Sequence, residues 1–490
     1  MDSRAGKTGR LLRNFIAVGA GNYGAMALNL AITAALTRRL GVDEWGHYGL
    51  LFMASSVLAN LTINWTQGAL VRFGSVEHDE KGSIAEAFWT RVWIVAPWAL
   101  GASGVIAVFQ KPLADYLNVP AWALWLVGAH TFATFLISLS GAAFQAMHQM
   151  RRYGTALFLD KAVMGVAVLA LPISWIHDPR MVLSMYAASS AVVALGSFAV
   201  LGLRPITPVR VHRDAYRTMF RYAFPLTLST WAGLFGTGWF DLAIINKYLP
   251  ISSVGLYFFA MAVAGVIQQI TVVFSSLLLP QLSVMAAKNE RHHLEEFVDR
   301  FLPYWFLATS VLFCIVVFTM QPLIPLVFKP DYLAAVPVLV LLVLATCALV
   351  VTNVCSPLLA AFGSTWAITT VCLVSGSVNV VLDLALIPRF GLMGSAAATL
   401  VAYTTSAVMA LAFVRRSVPG RVFALGWLAV PVAVACLCYF LLPTLGFYVF
   451  GIPASAAAAY WLVARFRLFR AEDAVFLKDI RLPASLGRAQ

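Results

Sequence analysis

RRLGVDEWGHY, Arg38 to Tyr48, and KYLPISSVGLY, Lys247 to Tyr257, carry one spacing 209 residues apart: a basic residue, any residue, Leu, five residues, then Gly-x-Tyr. A second pair keeps the offset. Pro179-Arg180 is echoed by Pro388-Arg389, followed in register by Leu183 and Leu392, Ala187-Ala188 and Ala396-Ala397, and Ser190 and Thr399. Matching Ala or Leu means little in an apolar chain, but a shared offset for Gly, Tyr, Pro and basic residues indicates an internal duplication of about 200 residues.

What is duplicated is membrane-spanning. Of 490 residues, 61% are hydrophobic and 11% charged, against roughly a quarter charged in soluble domains. The apolar residues fall in continuous runs near 15–37, 48–71, 91–109, 121–144, 155–176, 181–203, 223–245, 252–279, 301–320, 333–360, 366–387, 392–414, 422–442 and 446–464. Each approaches the ~20 residues a helix needs to cross hydrocarbon, and none shows barrel-type alternation. Fourteen transmembrane helices are expected, in an all-α polytopic membrane protein.

The formal charge of +13 lies in short loops between apolar runs, which makes it a topology signal and not a nucleic-acid face. With both termini cytoplasmic, the inner segments hold 26 of the 34 Lys and Arg and the outer loops hold 7, leaving Lys161 inside a span. The offset of 209 carries the first span onto the seventh, so each unit holds six. An even number returns the chain to the same side, which makes the repeats parallel. The expected organisation is a six-helix lobe over 1–203, a basic cytoplasmic linker over 204–221, a second lobe over 222–415, two further helices over 416–465 and a cytoplasmic tail over 466–490. The N-terminus is basic and reads as leading into a retained first span. The linker, RPITPVRVHRDAYRTMFR, is partly amphipathic and expected at the membrane surface.

The loops exclude several classes. No outer loop exceeds about a dozen residues, and the longest inner one, 281–300, is a charged helix-like piece, so no soluble catalytic domain fits. No phosphate loop of the G-x-x-x-x-G-K-[ST] type occurs. The six cysteines all lie in or at the ends of apolar runs without paired exterior spacing, so neither disulfides nor a metal site is expected. No enzyme activity and no cofactor are expected.

Six stretches resemble the polysaccharide-export group of the multidrug/oligosaccharidyl-lipid/polysaccharide superfamily, the lipid-linked oligosaccharide flippases, over about residues 10 to 415: the first-loop RRLGVDEWGHY; FPLTLSTWAGLFGTGWFDLAI; VGLYFFAMAVA; SSLLLPQLS; PLIPLVFKPDYLAAVPVLVLLVLA; and SVNVVLDLALIPRFGLMGSAAATLVAY. The last is the most specific, pairing Asn379 with the Pro388-Arg389 turn and the small-residue run Gly394 to Ala398. The resemblance implies a V-shaped pair of six-helix lobes around a central cavity. It also implies transport of an undecaprenyl-diphosphate-linked glycan across the bacterial cytoplasmic membrane, with membrane lipids, polysaccharide polymerase and export proteins as the expected surroundings. A glycan and a diphosphate need a wet, partly cationic path through hydrocarbon.

Mid-membrane charges cost about 2.5–3.5 kcal/mol on insertion scales, so the few present mark candidate sites. Asp160 and Lys161 adjoin in span five. Neighbouring helix positions point about 100° apart, so the two are not expected to pair face to face. Lys161 is read as meeting the diphosphate, with Asp160 organising it, against a reading in which Lys161 snorkels to the interface and Asp160 bonds a neighbouring helix. Arg72 and Arg91 flank the inner loop between spans two and three, as headgroup contacts or as positive-inside anchors. Asn379 is a substrate-path candidate, against an interhelical hydrogen bond. Asp241 and Asp383 are coupling-ion candidates, against structural partnership of Asp241 with Lys247 or with another lobe, and of Asp383 with Arg389 or in a polar helix contact.

The expected function is a secondary transporter of a lipid-linked oligosaccharide. A cation-coupled multidrug exporter, a peptidoglycan-precursor flippase and a non-transporting subunit of a polysaccharide synthase stand beside it.

Overall fold

The computed structural model of the chain describes residues 2–171, 177–236, 238–287, 302–362, 364–417, 427, 429–466 and 468. The basic residues expected to set topology at 288–300, 418–421 and 469–490 lie outside these. Each of the fourteen apolar runs contains described helix. In order these are α1 (Asp2–Arg39), α2 (Val42–Thr62), α3 (Gln67–Lys81), α4 (Ala85–Val108), α5 (Gln110–Leu117), α6 (Ala123–Ala146), α7 (Met150–Ala170), α8 (Pro179–Leu201), α9 (Arg213–Phe235), α10 (Trp239–Tyr248), α11 (Ile251–Ala287), α12 (Leu302–Val327), α13 (Val336–Ala361), α14 (Thr365–Ser417), α15 (Val430–Leu441) and α16 (Ile452–Phe466). Among the described residues nine helical segments are long and apolar enough to cross a membrane. The five expected spans beyond these are α1, α2, the interrupted α9–α10, the second arm of α14 and the short α15.

The repeat is visible in the helix ends. Val42 begins α2 and Ile251, at the 209-residue offset, begins α11; Arg39 ends α1 and Tyr248 ends α10. Pro179 opens α8 behind an Asp178 side chain that accepts from the Arg180 N–H at 2.8 Å, an N-cap with Pro in the first turn. The echoing Pro388 lies in α14, where the chain turns at Gly391, φ 59°. That left-handed conformation suits a residue without Cβ and divides α14 into the eleventh and twelfth spans.

Two expected spans are broken. The run 48–71 is helical to Thr62, turns through a 3-10 segment at Asn64–Thr66, and resumes as α3. The polar residues there compete for the backbone: Thr62 Oγ1 donates to the Leu58 carbonyl at 2.7 Å, and Thr66 Oγ1 to the Ile63 carbonyl at 2.7 Å. The run 223–245 stops at Phe235 and restarts at Trp239.

Packing divides the chain into two compact units, Arg10–Phe259 and Ala260–Gln490 with Met1–Gly9. The lobes expected at 1–203 and 222–415 are halves of the sequence repeat. Packing draws its line elsewhere, because α9 and α10 lie against α2, α3 and α4.

In the first unit α6 and α8 form the most buried spans, packed on each other and on α2, α3 and α7. Small residues set the spacing. A Cβ on Gly21 of α1 would meet the Gly154 backbone of α7, so the two helices approach closely at that glycine. The duplicated glycines meet each other's helix. A Cβ on Gly46 would lie 2.5 Å from the Ile251 carbonyl oxygen, and one on Gly255 would lie 2.0 Å from that of Val42. The far half of α4 stands away from α2 and α6 and leaves apolar clefts of about 700 and about 390 Å³. In the second unit α13 is the centre, packed against α14, α12 and α15.

Candidate functional site

Asp160 of α7 is 8% exposed. Its Oδ1 accepts from Ser190 Oγ at 2.7 Å, and its backbone carbonyl accepts from Ser189 Oγ at 2.7 Å, both on α8. Its Oδ2 lies 2.8 Å from Lys161 Nζ. The adjacent residues therefore do pair, contrary to the expectation from helix geometry: the four-carbon lysine stem folds back across the 100° between Cβ vectors. Lys161 Nζ also sits 5.4 Å above the Tyr186 ring, a cation–π position. Tyr186 stacks on Tyr48 at 6.0 Å and lies edge-on to His130 at 6.4 Å.

His130 extends this polar seam into α2. Its Nδ1 is 2.6 Å from Ser55 Oγ, which in turn is 3.0 Å from Thr131 Oγ1. The seam runs from Ser190 through Asp160, Lys161, Tyr186 and His130 to Ser55, across α8, α7, α6 and α2. Sequence reading passed over His130, although an imidazole midway along an otherwise apolar run was the available signal.

Arg91 of α4 is 0% exposed. Its Nε donates to Thr66 Oγ1 at 3.1 Å, its Nη1 to the Ser138 carbonyl at 3.1 Å and its Nη2 to Ser138 Oγ at 2.8 Å, while its Cζ lies 5.7 Å from the Phe135 ring centre. The guanidinium thus ties the 3-10 break to α6. Arg72 is exposed on α3 and stacks over Tyr222 of α9 at 4.5 Å. The two arginines are spent on protein contacts of different kinds, one interior and one on a ring face.

Asp241, in the first turn of α10, is fully buried, and its Oδ2 accepts from Tyr257 Oη at 2.5 Å. Tyr257 is the repeat's tyrosine; its counterpart Tyr48 packs on Tyr186 instead. In the second unit Asn379 and Asp383 sit one turn apart on α14, 1% and 0% exposed, with Asn379 Nδ2 donating to Asp383 Oδ2 at 3.1 Å. The structure therefore joins Asp160 with Lys161 and Asn379 with Asp383.

The chain has the fold of transporters of the multidrug/oligosaccharidyl-lipid/polysaccharide superfamily. It resembles the solved "Lipid II flippase MurJ, inward closed conformation" with a TM-score of 0.67 and 13% identity, over 95% of this chain and 99% of that one. An inward-facing multidrug resistance MATE family transporter of the same superfamily gives a TM-score of 0.68 at 12% identity, over 82% and 95%. The chain belongs to the polysaccharide biosynthesis protein family, whose model matches residues 11–286. The model for lipid II flippase MurJ matches residues 240–464. Among curated relatives, the probable low-salt glycan biosynthesis flippase Agl15 of Haloferax volcanii is 27% identical over 194 residues, 39% of this chain and 41% of its own. An uncharacterized membrane protein of Methanocaldococcus jannaschii is 22% identical over 220 residues, 44% and 43% respectively. The matched region thus spans less than half the length of either relative. Agl15 and the two solved neighbours are named as flippases or transporters.

Proposed function

We propose that the protein is a flippase moving a polyprenyl-diphosphate-linked oligosaccharide from the cytoplasmic to the outer leaflet of the bacterial cytoplasmic membrane, for surface or exported polysaccharide. Both termini face the cytoplasm in this reading. The repeat halves 1–203 and 222–415 act as the two moving bodies, with 204–221 as their linker and 416–465 as added spans. The observation that carries it, beside the family match over 11–286, is the Asp160–Lys161 pair, in which the lysine side chain keeps 29% of its surface exposed and the aspartate 12%. A cation retained at an accessible edge, and held in place by a buried acid, suits transient capture of a diphosphate. The clefts beside α4 are lined by apolar side chains and suit hydrocarbon, not glycan.

Asp241 and Asp383 are assigned to ion coupling. Each is a fully buried carboxylate within a span, accepting a hydrogen bond from Tyr257 or from Asn379, and a buried carboxylate at that depth can exchange a proton or small cation as access alternates. Asn379 then orients a coupling carboxylate rather than touching sugar. Arg72 and Arg91 support the path from behind, as the ring-stacked and buried anchors of its helices.

The test is a deletion strain in which radiolabelled lipid-linked oligosaccharide is followed by leaflet. Accumulation on the cytoplasmic side, cured by the wild-type chain and not by Lys161→Ala at matched protein level, is the expected result. Normal glycan export with heightened sensitivity to cationic drugs would instead make it an exporter. Cure by Lys161→Ala would remove the lysine from the path.

A further inference from the structure

The linker and the start of α9 carry Arg204, Arg210, Arg213, Arg217 and Arg221, all exposed, with Asp214 as the one acid between them. Among the described residues none of the five forms an ion pair. Arg213, Arg217 and Arg221 recur every four residues, so they form a ladder on one helix face with steps of about 6 Å along the axis. The same face continues through Phe224 and Leu228, 45% and 53% exposed, while Met219 and Ala223 on the opposite side are buried at 2% and 0%. One exposed stripe therefore changes from guanidinium to hydrocarbon within a single turn. That is the profile of a helix face passing from phosphate headgroups into acyl chains. Leu203 and Val209, 75% and 61% exposed, interleave with Arg204 and Arg210 in the same manner.

The platform is held in place. The Pro205 carbonyl accepts from the Ile84 N–H at 2.9 Å and from Ser83 Oγ at 3.0 Å, and the Ile206 carbonyl accepts from Trp89 Nε1 at 2.8 Å. His212 Nδ1 lies 2.7 Å from Glu86 Oε1. Little backbone order is then lost on binding.

We propose that this arginine ladder is a binding site for the phosphate headgroups of anionic phospholipids in the leaflet that the linker faces, which is the cytoplasmic leaflet under the topology read above. Each rung gives about a fivefold gain in preference for an anionic over a zwitterionic lipid at low salt, and three rungs about a hundredfold. The preference weakens as salt shortens the screening length.

The experiment uses the full-length protein in detergent, titrated with phosphatidylglycerol and with phosphatidylcholine, with bound lipid counted by native mass spectrometry. Expected is a phosphatidylglycerol preference that falls about a hundredfold in the Arg213→Gln/Arg217→Gln/Arg221→Gln variant, survives in the corresponding Lys variant, and shrinks in high salt. Arg217→Gln alone, at an exposed position, should lose about fivefold and serves if the triple variant does not fold. An unchanged preference in the Gln variants, or one indifferent to salt, overturns the assignment. A third titration uses a polyprenyl diphosphate: if it binds through the ladder and saturating phosphatidylglycerol fails to displace it, the ladder belongs to the substrate. Loss of glycan flipping in cells leaves the lipid preference untouched, so the two readings fail separately.

Discussion

Asp160 and Asp383 are buried carboxylates on long apolar helices of one duplicated chain, and they are answered in opposite ways. Asp160 meets an ammonium at 2.8 Å and a serine hydroxyl at 2.7 Å, whereas Asp383 is bonded by an amide one turn away at 3.1 Å. The 209-residue offset places Thr369 and Thr370 where the first half has Asp160 and Lys161, and Ala170 where the second has Asn379. The halves share helix starts, glycines and the basic residues of their loops, but not the charges inside their spans. Duplication supplied two frames, and polar chemistry entered each at a different register. In the first half the acid holds a lysine at an accessible edge, and in the second a fully buried acid takes a hydrogen bond from its own helix.

The sharpest way to break this contrast is Asp160→Ala. It leaves Lys161 without its acid and should cost about 3 kcal/mol, the low end for a broken buried pair because the lysine still reaches solvent, with transport abolished; thermal unfolding and the leaflet assay measure the two effects. Gly255→Ala puts a Cβ against backbone at 2.0 Å and should cost about 1–3 kcal/mol as overpacking. Gly46→Ala should behave alike, and a tolerant Gly46 beside an intolerant Gly255 would show the reciprocity to be superficial. Tyr257→Phe removes the donor to Asp241 and should cost about 1.5 kcal/mol, read from denaturation midpoints. Asp383→Asn keeps size and hydrogen bonding, so stability should move by less than about 1 kcal/mol; the proton or sodium dependence of transport should vanish nonetheless. Loss of fold with coupling intact would reverse the roles given to the two acids. The smallest effect is at the α8 cap, where Asp178→Ala should cost about 0.5–1 kcal/mol. Burial alone would push the Asp178 carboxyl up, but hydrogen bonds and charge from Arg180 outweigh it and hold its pKa below the usual value. Its contribution is therefore present above the unfolded carboxyl pKa and fades as pH falls through the folded one, so wild type and variant should converge in acid.

Much of this was legible in residue order. Continuous apolar runs fixed the helices, since a backbone in lipid has few other options; the paired motifs showed the duplication, while the helix start at Val42, ahead of the run read from 48, came only from the structure. The break after Thr62 was less visible, because Thr, Asn and Trp are tolerated in spans and only the competition of Thr62, Thr66 and the backbone decides the turn. Asp160 and Lys161 were recognised as a site, yet their pairing was not, because a Cβ direction says little about where a flexible lysine ends. Arg91 read as an interface residue from its place beside a loop. Its burial depends on Thr66 and Ser138, 25 and 47 residues away, and no local pattern reports such partners. His130 escaped for the same reason: a lone imidazole acquires meaning only when Ser55 is brought beside it.

The crossed glycine contacts are reciprocal. In a two-fold homodimer, residue i of one copy touches j of the other and j touches i in return. Gly46 against Ile251 and Gly255 against Val42 obey that rule within one polypeptide, since Val42 and Ile251 are themselves equivalent under the repeat. At this point the two repeats thus pack on each other within one polypeptide as the subunits of a two-fold dimer would, each presenting to the other the surface it receives.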